Sequence, residues 1–546
     1  MACIGIDFSQ CDPARHRVKF HFCQLYFRDL SQVLINPVKR AYLALESWFN
    51  ISFGTEWNPL YHLGTLSFFL FWIILVSGIY LFVPFHGSID GAHASVEYMT
   101  HDQWYTAGIM RSLHRYASDA VIVTALLHMF KEFASGRYRG FRWFSWVTGV
   151  PNLWMVVTLG ITGYWLVWDE MAQFVAVGSA QLMDSLPIFS GAMTRNFVSG
   201  GMTDRFFILI EFLHLLGQPL ILLFMLWLHV KRMSNVNINP PRGLAAGTFI
   251  ALLALSLYAP AMSHAPANLG MVPREIHIDW FYLNVYPLLE YWPADQVWIL
   301  TLSVTLLLMM MPWLLPKKDG PKAVVDLDHC NGCGLCFDDC PFDAISVQAR
   351  TDGARYEHEV VVDPALCAAC GICAGSCPAS NPFRTPRGEL KTGIDMPQLS
   401  VDEMRRLTLE TIEAMTGDLK IIVFGCEHGL NVKRLDSDDT RGIKLICSGM
   451  LPPTLVEYAL KQGADGVMVT GCRHNDCYFR FGNRWTRLRF AGERKPGLRG
   501  RAERERILVH GGAEPDKPEI EQDLDQFRRR LRELNRAVDT DTAGTG

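Results

Sequence analysis

Charge is scarce over the first part of this chain. Asp, Glu, Lys and Arg make up 19% of its 546 residues, and they concentrate after about residue 316, where the long apolar runs stop. A formal net charge of -4, with no basic face interleaved with aromatics, excludes a nucleic-acid binder. No GxGxxG opens a βα unit, so the sequence carries no flavin or nicotinamide fingerprint. Any primary substrate site is therefore expected on another polypeptide. Residues 1–50 mix polar and apolar positions without a cleavage pattern, and no signal peptide is expected.

Cysteine is not lacking. Of 15 in all, eight lie between 330 and 377 and four between 426 and 477, while Cys3, Cys11 and Cys23 match no motif. Cysteines spent as metal thiolates rather than disulfides point to a reducing compartment. The run Cys330-Asn-Gly-Cys333-Gly-Leu-Cys336-Phe-Asp-Asp-Cys340-Pro is repeated as Cys367-Ala-Ala-Cys370-Gly-Ile-Cys373-Ala-Gly-Ser-Cys377-Pro. In such a run three cysteines serve one cubane and the fourth reaches across to the other. One 4Fe–4S cluster is thus expected on Cys330, Cys333, Cys336 and Cys377, and a second on Cys367, Cys370, Cys373 and Cys340. Zinc or a disulfide framework gives no reason for the run to recur with proline after its fourth cysteine. The stretch resembles a bacterial two-cluster ferredoxin.

Before it lie six apolar segments, about 62–84, 108–131, 145–168, 206–230, 245–262 and 296–316, each near the length of a membrane helix. Lys131, Arg137, Arg139 and Arg142 follow the second; Lys231, Arg232 and Arg242 follow the fourth; Lys317, Lys318 and Lys322 follow the sixth. By the positive-inside rule the N-terminus and everything after residue 316 face the cytoplasm of a cell inner membrane. Residues 35–52 would lie along that face as an amphipathic lead-in.

His114 and His128 are 14 residues apart in the second segment, and His214 and His229 are 15 apart in the fourth. Fourteen residues is about four turns, so each pair lies on one face roughly 21 Å apart. Two such helices would hold two stacked haems, the outer between His114 and His214 and the inner between His128 and His229. A lone intramembrane histidine is more simply a hydrogen-bonded residue or a proton relay, but four at matched spacing are not. Gly64 and Gly78, and Gly149 and Gly163, repeat the 14-residue interval. Lacking a side chain, they let a porphyrin approach the backbone, where ordinary small-residue helix packing is the alternative.

These residues resemble the cytochrome b family, in particular the short cytochrome b of photosynthetic membranes followed by its subunit IV. The likeness rests on Arg111-Ser-Leu-His114-Arg115 with His128, on Trp146-Val-Thr-Gly-Val150, and on Gly160-Ile-Thr-Gly-Tyr164 followed by Trp168-Asp169. It implies that Arg111 and Arg115 contact haem propionates, that quinone reacts in the membrane, and that the chain forms a homodimer. Where the photosynthetic form attaches a third haem through cysteine, this chain has His62. Where the family has a Glu proton acceptor, it has Asp279, with His277 two residues earlier as a possible relay.

After a connector at 386–418, short apolar strands alternate with helices, which reads as a parallel α/β sheet. Cys426, Cys447 and Cys472 fall just past successive strands, where such sheets bind ligands, and Cys477 follows at C-x4-C spacing. Four thiolates there could hold a 2Fe–2S cluster; zinc or buried structural cysteines are the alternatives. The stretch 419–512 resembles the delta subunit of methyl-viologen-reducing hydrogenase, through Ile446-Cys-Ser-Gly449, Gly463-Ala-Asp-Gly-Val467, Val469-Thr-Gly-Cys472 and Asp476-Cys477-Tyr. That resemblance implies a partner resembling heterodisulfide reductase. Hydrogenase activity does not follow, because the chain lacks the paired Cys-x-x-Cys ligands of a nickel site. Residues 513–546 read as a charged helical tail, disordered from Asp539.

The expected fold is thus multidomain. An N-terminal segment (1–52) precedes an all-α membrane part (53–316), a di-haem four-helix bundle with two further helices. An α+β ferredoxin (320–385) and an α/β parallel-sheet domain (419–512) follow. The expected function is a membrane electron-transfer subunit between a cytoplasmic flavoprotein dehydrogenase and quinone. The alternatives are the reverse flow, driven by quinol and membrane potential, and a redox sensor or scaffold.

Overall fold

The computed structural model describes residues 36–188, 193, 204–231, 238–273, 275–315, 320–385, 388–474, 476–500 and 504–544. Cys3, Cys11, Cys23 and the loop cations Arg232, Lys317 and Lys318 lie outside them. The described residues form two compact units, one ending at 315 and one starting at 320.

The first unit is helical. It opens with α1 (36–57), at the expected lead-in. The helices α2 (Leu63–Phe82), α3 (Ala92–His101), α4 (Ile109–Ala134), α5 (Trp143–Val167) and α6 (Glu170–Asp184) follow. Then come α7 (Asp204–Phe212), α8 (Gln218–Lys231), α9 (Arg242–Tyr258) and α10 (Ala294–Leu314). Among the described residues four stretches are long and apolar enough to cross a membrane: Leu63–Phe82, Gly140–Val167, Phe207–Lys231 and Ala294–Leu314. Six apolar segments were expected. The second is α4, which has 26 residues but dilutes its apolar character with Arg111, Arg115 and Asp119. The fifth is α9, 17 residues long, which stops at Tyr258 just before Pro260. The spans are sparsely covered by the chain itself: only 11% of the apolar window of α10 is buried, and its Ile299, Leu302 and Leu306 are exposed. In lipid, such a surface needs no protein partner.

Helices α2 and α4 pack together, as do α5 and α8. Between α7 and α8 the chain makes a π-turn, Leu213–Gly217, that contains His214. This turn accounts for the unequal histidine spacings. A π-turn takes in one residue more than an α-turn, so 15 residues on this helix cover the rotation that 14 cover on α4.

The second unit holds two parts. The first has two antiparallel strand pairs, β1 (Val324–Val325) with β4 (Ile394–Asp395) and β2 (Ile345–Ala349) with β3 (His358–Val362). Each cysteine run leads into a one-turn helix, α11 (Leu335–Asp339) and α12 (Ile372–Ser376). Then α13 (Val401–Glu413), capped by Ser400 Oγ accepting from Glu403 N at 3.1 Å, fills the expected connector.

The second part is a parallel sheet in the order β6-β5-β7-β8. It comprises β5 (Ile421–Cys426), β6 (Thr440–Leu445), β7 (Gly466–Gly471) and β8 (Ile507–Gly511), with α14 (Pro453–Lys461) and α15 (Gly482–Ala491) between them. Strand β8 follows the Arg- and Glu-rich stretch and was missed. The terminal α16 (Lys517–Gly544) is no free tail. Its Ile520, Leu524, Phe527 and Leu531 are buried in one core with Ile421, Val423 and Met468. The 4, 3, 4 spacing puts them on a single stripe, and the helix continues past Asp539, where disorder was expected.

Candidate redox sites

The four histidines and four glycines meet pairwise. A Cβ placed on Gly78 would lie 3.0 Å from His114 Cε1, and one on Gly163 3.1 Å from His214 Cε1. One on Gly64 would lie 3.3 Å from His128 Cε1, and one on Gly149 3.3 Å from His229 Cε1. The space a glycine leaves is taken first by the imidazole of the neighbouring helix.

The His114 and His214 rings face each other with centroids 6.3 Å apart. Metal–imidazole bonds run about 2 Å, so two rings on one ion have centres roughly 6 Å apart. His128 lies within electrostatic reach of His229. The sequence missed the groups that orient these rings. Ser77 Oγ lies 3.1 Å from His114 Nδ1, Thr162 Oγ1 3.0 Å from His214 Nδ1 and Thr148 Oγ1 3.2 Å from His229 Nδ1. Each hydroxyl also hydrogen-bonds a carbonyl of its own helix, Ile73, Thr158 and Phe144 respectively. Its proton thus committed, its oxygen accepts Nδ1–H, and the Nε2 lone pair is free to bind metal. A hydroxyl residue directly before a glycine, as in Ser77-Gly78, Thr148-Gly149 and Thr162-Gly163, was the signal available. These residues fit b-type haem, which supplies one-electron chemistry when bound.

Arg111 and Arg115 hold protein partners. Arg111 donates to Thr100 and, at 2.8 Å, to Ser263 Oγ. Arg115 donates to Tyr164 Oη and pairs with Asp279 at 3.0 Å and Asp119 at 3.4 Å. The Tyr164 hydroxyl donates to the same Asp279 oxygen, and Phe281 N donates to the other at 2.7 Å. Tyr282 lies against Gly160, where a Cβ would stand 2.3 Å from its ring. That close approach seats the Asp279 segment on α5. His277 is exposed, with no hydrogen bond to Asp279.

In the ferredoxin-like part thiols of the two runs lie side by side. Burial pushes the Cys336 thiol up to about 12, and its thiol neighbours are Cys377, Cys333 and Cys330. Burial also pushes Cys370 up to about 12, with Cys340 and Cys367 beside it, and Cys373 has Cys370, Cys336 of the other run, Cys340 and Cys367 nearby. Thiols this hard to ionise release their protons when metal loads. Gly334 and Gly371 hold φ of +74° and +75° at matching places, and no side chain is favoured there.

At the sheet edge, Cys426 Sγ is 3.8 Å from Cys472 Sγ. Two thiolates about 2.3 Å from one tetrahedral metal stand about 3.8 Å apart. Hydrogen bonds with Cys447 and Cys472 hold the Cys426 and Cys477 thiols well below their ordinary value. Gly482 closes over them, since a Cβ there would stand 2.1 Å from Cys447 Sγ. His428 stacks on Tyr478 at 3.6 Å between centroids, and its backbone hydrogen-bonds the Cys426 thiol. Among the described residues no three His, Cys, Asp or Glu converge tightly on one point as a single-ion site. A cluster spreads its ligands around bridging sulfides and does not require that convergence.

Three family models match the chain: Cytochrome b/b6/petB over residues 51–236, the 4Fe-4S dicluster domain over 329–381, and the delta subunit of methyl-viologen-reducing hydrogenase over 421–535. Cytochrome b6 of Heliobacterium mobile is 29% identical over 190 residues, 34% of this chain and 86% of that protein. Cytochrome b of Rhodospirillum rubrum is 24% identical over 289 residues, 48% of this chain and 71% of that protein. A solved structure titled "Hyperthermophilic respiratory Complex III" aligns at TM-score 0.40 and 21% identity, over 46% of this chain and 75% of that one. The chain is a membrane electron-transfer protein that joins a part similar to cytochrome b, a 4Fe–4S dicluster part, and a part similar to the hydrogenase delta subunit.

Proposed function

We propose that the chain is the membrane subunit of a quinone-linked oxidoreductase, passing electrons between a cytoplasmic flavoprotein dehydrogenase, or a subunit resembling heterodisulfide reductase, and the quinone pool. Two b haems would be held by His114 with His214 and by His128 with His229. Two 4Fe–4S clusters would sit on the two ferredoxin sets, and a 2Fe–2S cluster on Cys426, Cys447, Cys472 and Cys477. The iron–sulfur parts would face the cytoplasm of an inner membrane, with the chain paired as a homodimer.

The observation that carries this reading is the facing pair His114 and His214, 6.3 Å apart, each ring laid on a glycine and steered by a hydroxyl. At the quinone site Tyr164 and Asp279 share a hydrogen bond and could hold and pass one proton. Arg115 pairs with the same carboxylate at 3.0 Å, and His277 would carry the proton outward.

Purified from membranes, the protein should contain two haems per chain, and Gly163→Val should lose one of them while keeping the other's spectrum. A protein with no haem, or a variant with both intact, would overturn the assignment. A mild-detergent pull-down should recover a flavoprotein, and reduced haem should reoxidise on adding quinone.

A further inference from the structure

The two ferredoxin thiol sets are not equivalent toward the delta-like part. Contacts from that part fall mostly on residues beside Cys340, Cys370 and Cys373, although Ser376, next to Cys377, also accepts from Arg489. Arg489 and Arg494 pair with Asp339, and Trp485 Nε1 donates to the Asp339 carbonyl at 3.1 Å. Arg480 donates to the Pro341 carbonyl at 2.7 Å. Gly375 meets the other part backbone to backbone, its Cβ position 2.5 Å from Gly449 O. Met450 packs at 3.1 Å over the Cβ position of Gly371.

Ile372 lies at the centre of this contact. It sits between Cys370 and Cys373, and its Cγ1 is 3.1 Å from the Cβ position of Gly449, two residues past Cys447. Its Cδ1 is 3.8 Å from the Cβ position of Gly482, which is itself 2.1 Å from Cys447 Sγ. Cys330 instead has neighbours within the ferredoxin part and its connector. Arg350 donates to its carbonyl at 2.6 Å, and Gly393 packs on its Cα.

We propose that Ile372 and the Gly449–Met450 turn form the electron-transfer contact between the four-cysteine centre of the delta-like part and the ferredoxin, and that this contact serves the set Cys340, Cys367, Cys370 and Cys373. The inference rests on the proposed cluster at Cys426, Cys447, Cys472 and Cys477. One electron crosses the contact: one side is oxidised by one electron, the other is reduced by one, and no bond breaks.

The test is a redox titration of the full-length protein followed by electron paramagnetic resonance. Reduction of the neighbouring cluster should broaden the signal of the delta-like centre and speed its relaxation. With Cys370→Ser the potential at which broadening sets in should move, or broadening should vanish if that cluster is lost. With Cys333→Ser it should stay where it is while the other cluster's own signal changes. This second variant decides the matter even if the first does not fold. Broadening that follows Cys333→Ser, or no broadening in the unaltered protein, would overturn the proposal. Iron analysis separates the underlying reading: Cys472→Ala should lose about two irons per chain with haem unchanged. Unaltered iron there would remove the cluster itself, not the contact.

Discussion

Two arginine–aspartate pairs, one in each unit, make the same ion pair under opposite conditions. Arg489 and Asp339 have side chains 0% and 2% exposed. Arg489 also donates to the Gly449 carbonyl at 2.7 Å and to Ser376, and Arg494 takes the other Asp339 oxygen. Arg115 and Asp279 are 35% and 6% exposed, and around them stand two more proton-bearing groups, Tyr164 and Asp119. The first pair is fully buried, and fixes one geometry. The second is open on one side and shares its carboxylate with a hydroxyl. A buried charge pair is weak evidence for stability, but removing one partner is costly. Full burial therefore suits a joint between two parts, and partial exposure suits a place where protons come and go.

The comparison can be broken most forcefully at Arg489. Arg489→Met should cost about 3 kcal/mol, because Asp339 stays buried with Arg494 as its remaining cation and the Ser376 hydroxyl as a neutral donor. Thermal unfolding of the full chain, followed by iron–sulfur absorbance, should show it, and Asp339→Asn in the same background should recover part of the loss. Arg115→Met should cost less, about 1 kcal/mol, since Asp279 keeps hydrogen bonds from the Tyr164 hydroxyl and from Phe281 N. Equal losses at the two sites would erase the distinction.

The second test bears on function. Asp279→Asn keeps the shape but removes the proton-accepting charge and replaces one accepting oxygen with an amide donor. Quinone turnover should fall about 10²-fold, with both haem spectra unchanged. Unchanged turnover would make the Arg115–Asp279 pair as purely structural as its counterpart at Arg489.

The two units also differ in how far they could be read from sequence. The cysteine runs were legible because a cubane takes its ligands from a few consecutive residues, so spacing alone carries the geometry. Cys377 lies beside Cys336 and Cys340 beside Cys370, while Cys336 also lies near Cys373. The histidines were legible for a different reason: a straight helix converts a 14-residue interval into one face. The π-turn at His214 was not legible, because nothing in Leu213–Gly217 marks the backbone change except the odd spacing it compensates. Strand β8 and the packed stripe of α16 were hidden by charge. Arg and Glu dominate both stretches, while the buried residues are few and spread along a helix. The Asp339–Arg489 joint lies 150 residues apart in sequence, and no local pattern signals such a contact.

The smallest expected effect sharpens the comparison between the two ends of the histidine pairs. Thr162 and Ser77 precede glycines and accept Nδ1–H from His214 and His114, whereas Gly64, opposite His128, follows Leu63. Thr162→Val keeps the shape and removes the oxygen. His214 retains a backbone hydrogen bond to Leu159, so the ring should stay oriented and haem content should be unchanged. The loss is a fraction of one neutral hydrogen bond. An acceptor on Nδ1–H makes the imidazole more basic and favours the oxidised iron, so its removal should raise the midpoint of that haem. About 0.5 kcal/mol corresponds to a one-electron shift on the order of 20 mV. The haem on His128 and His229 should not move. A downward shift, or an equal shift in both haems, would mean that the hydroxyl acts on packing and not on the ligand nitrogen.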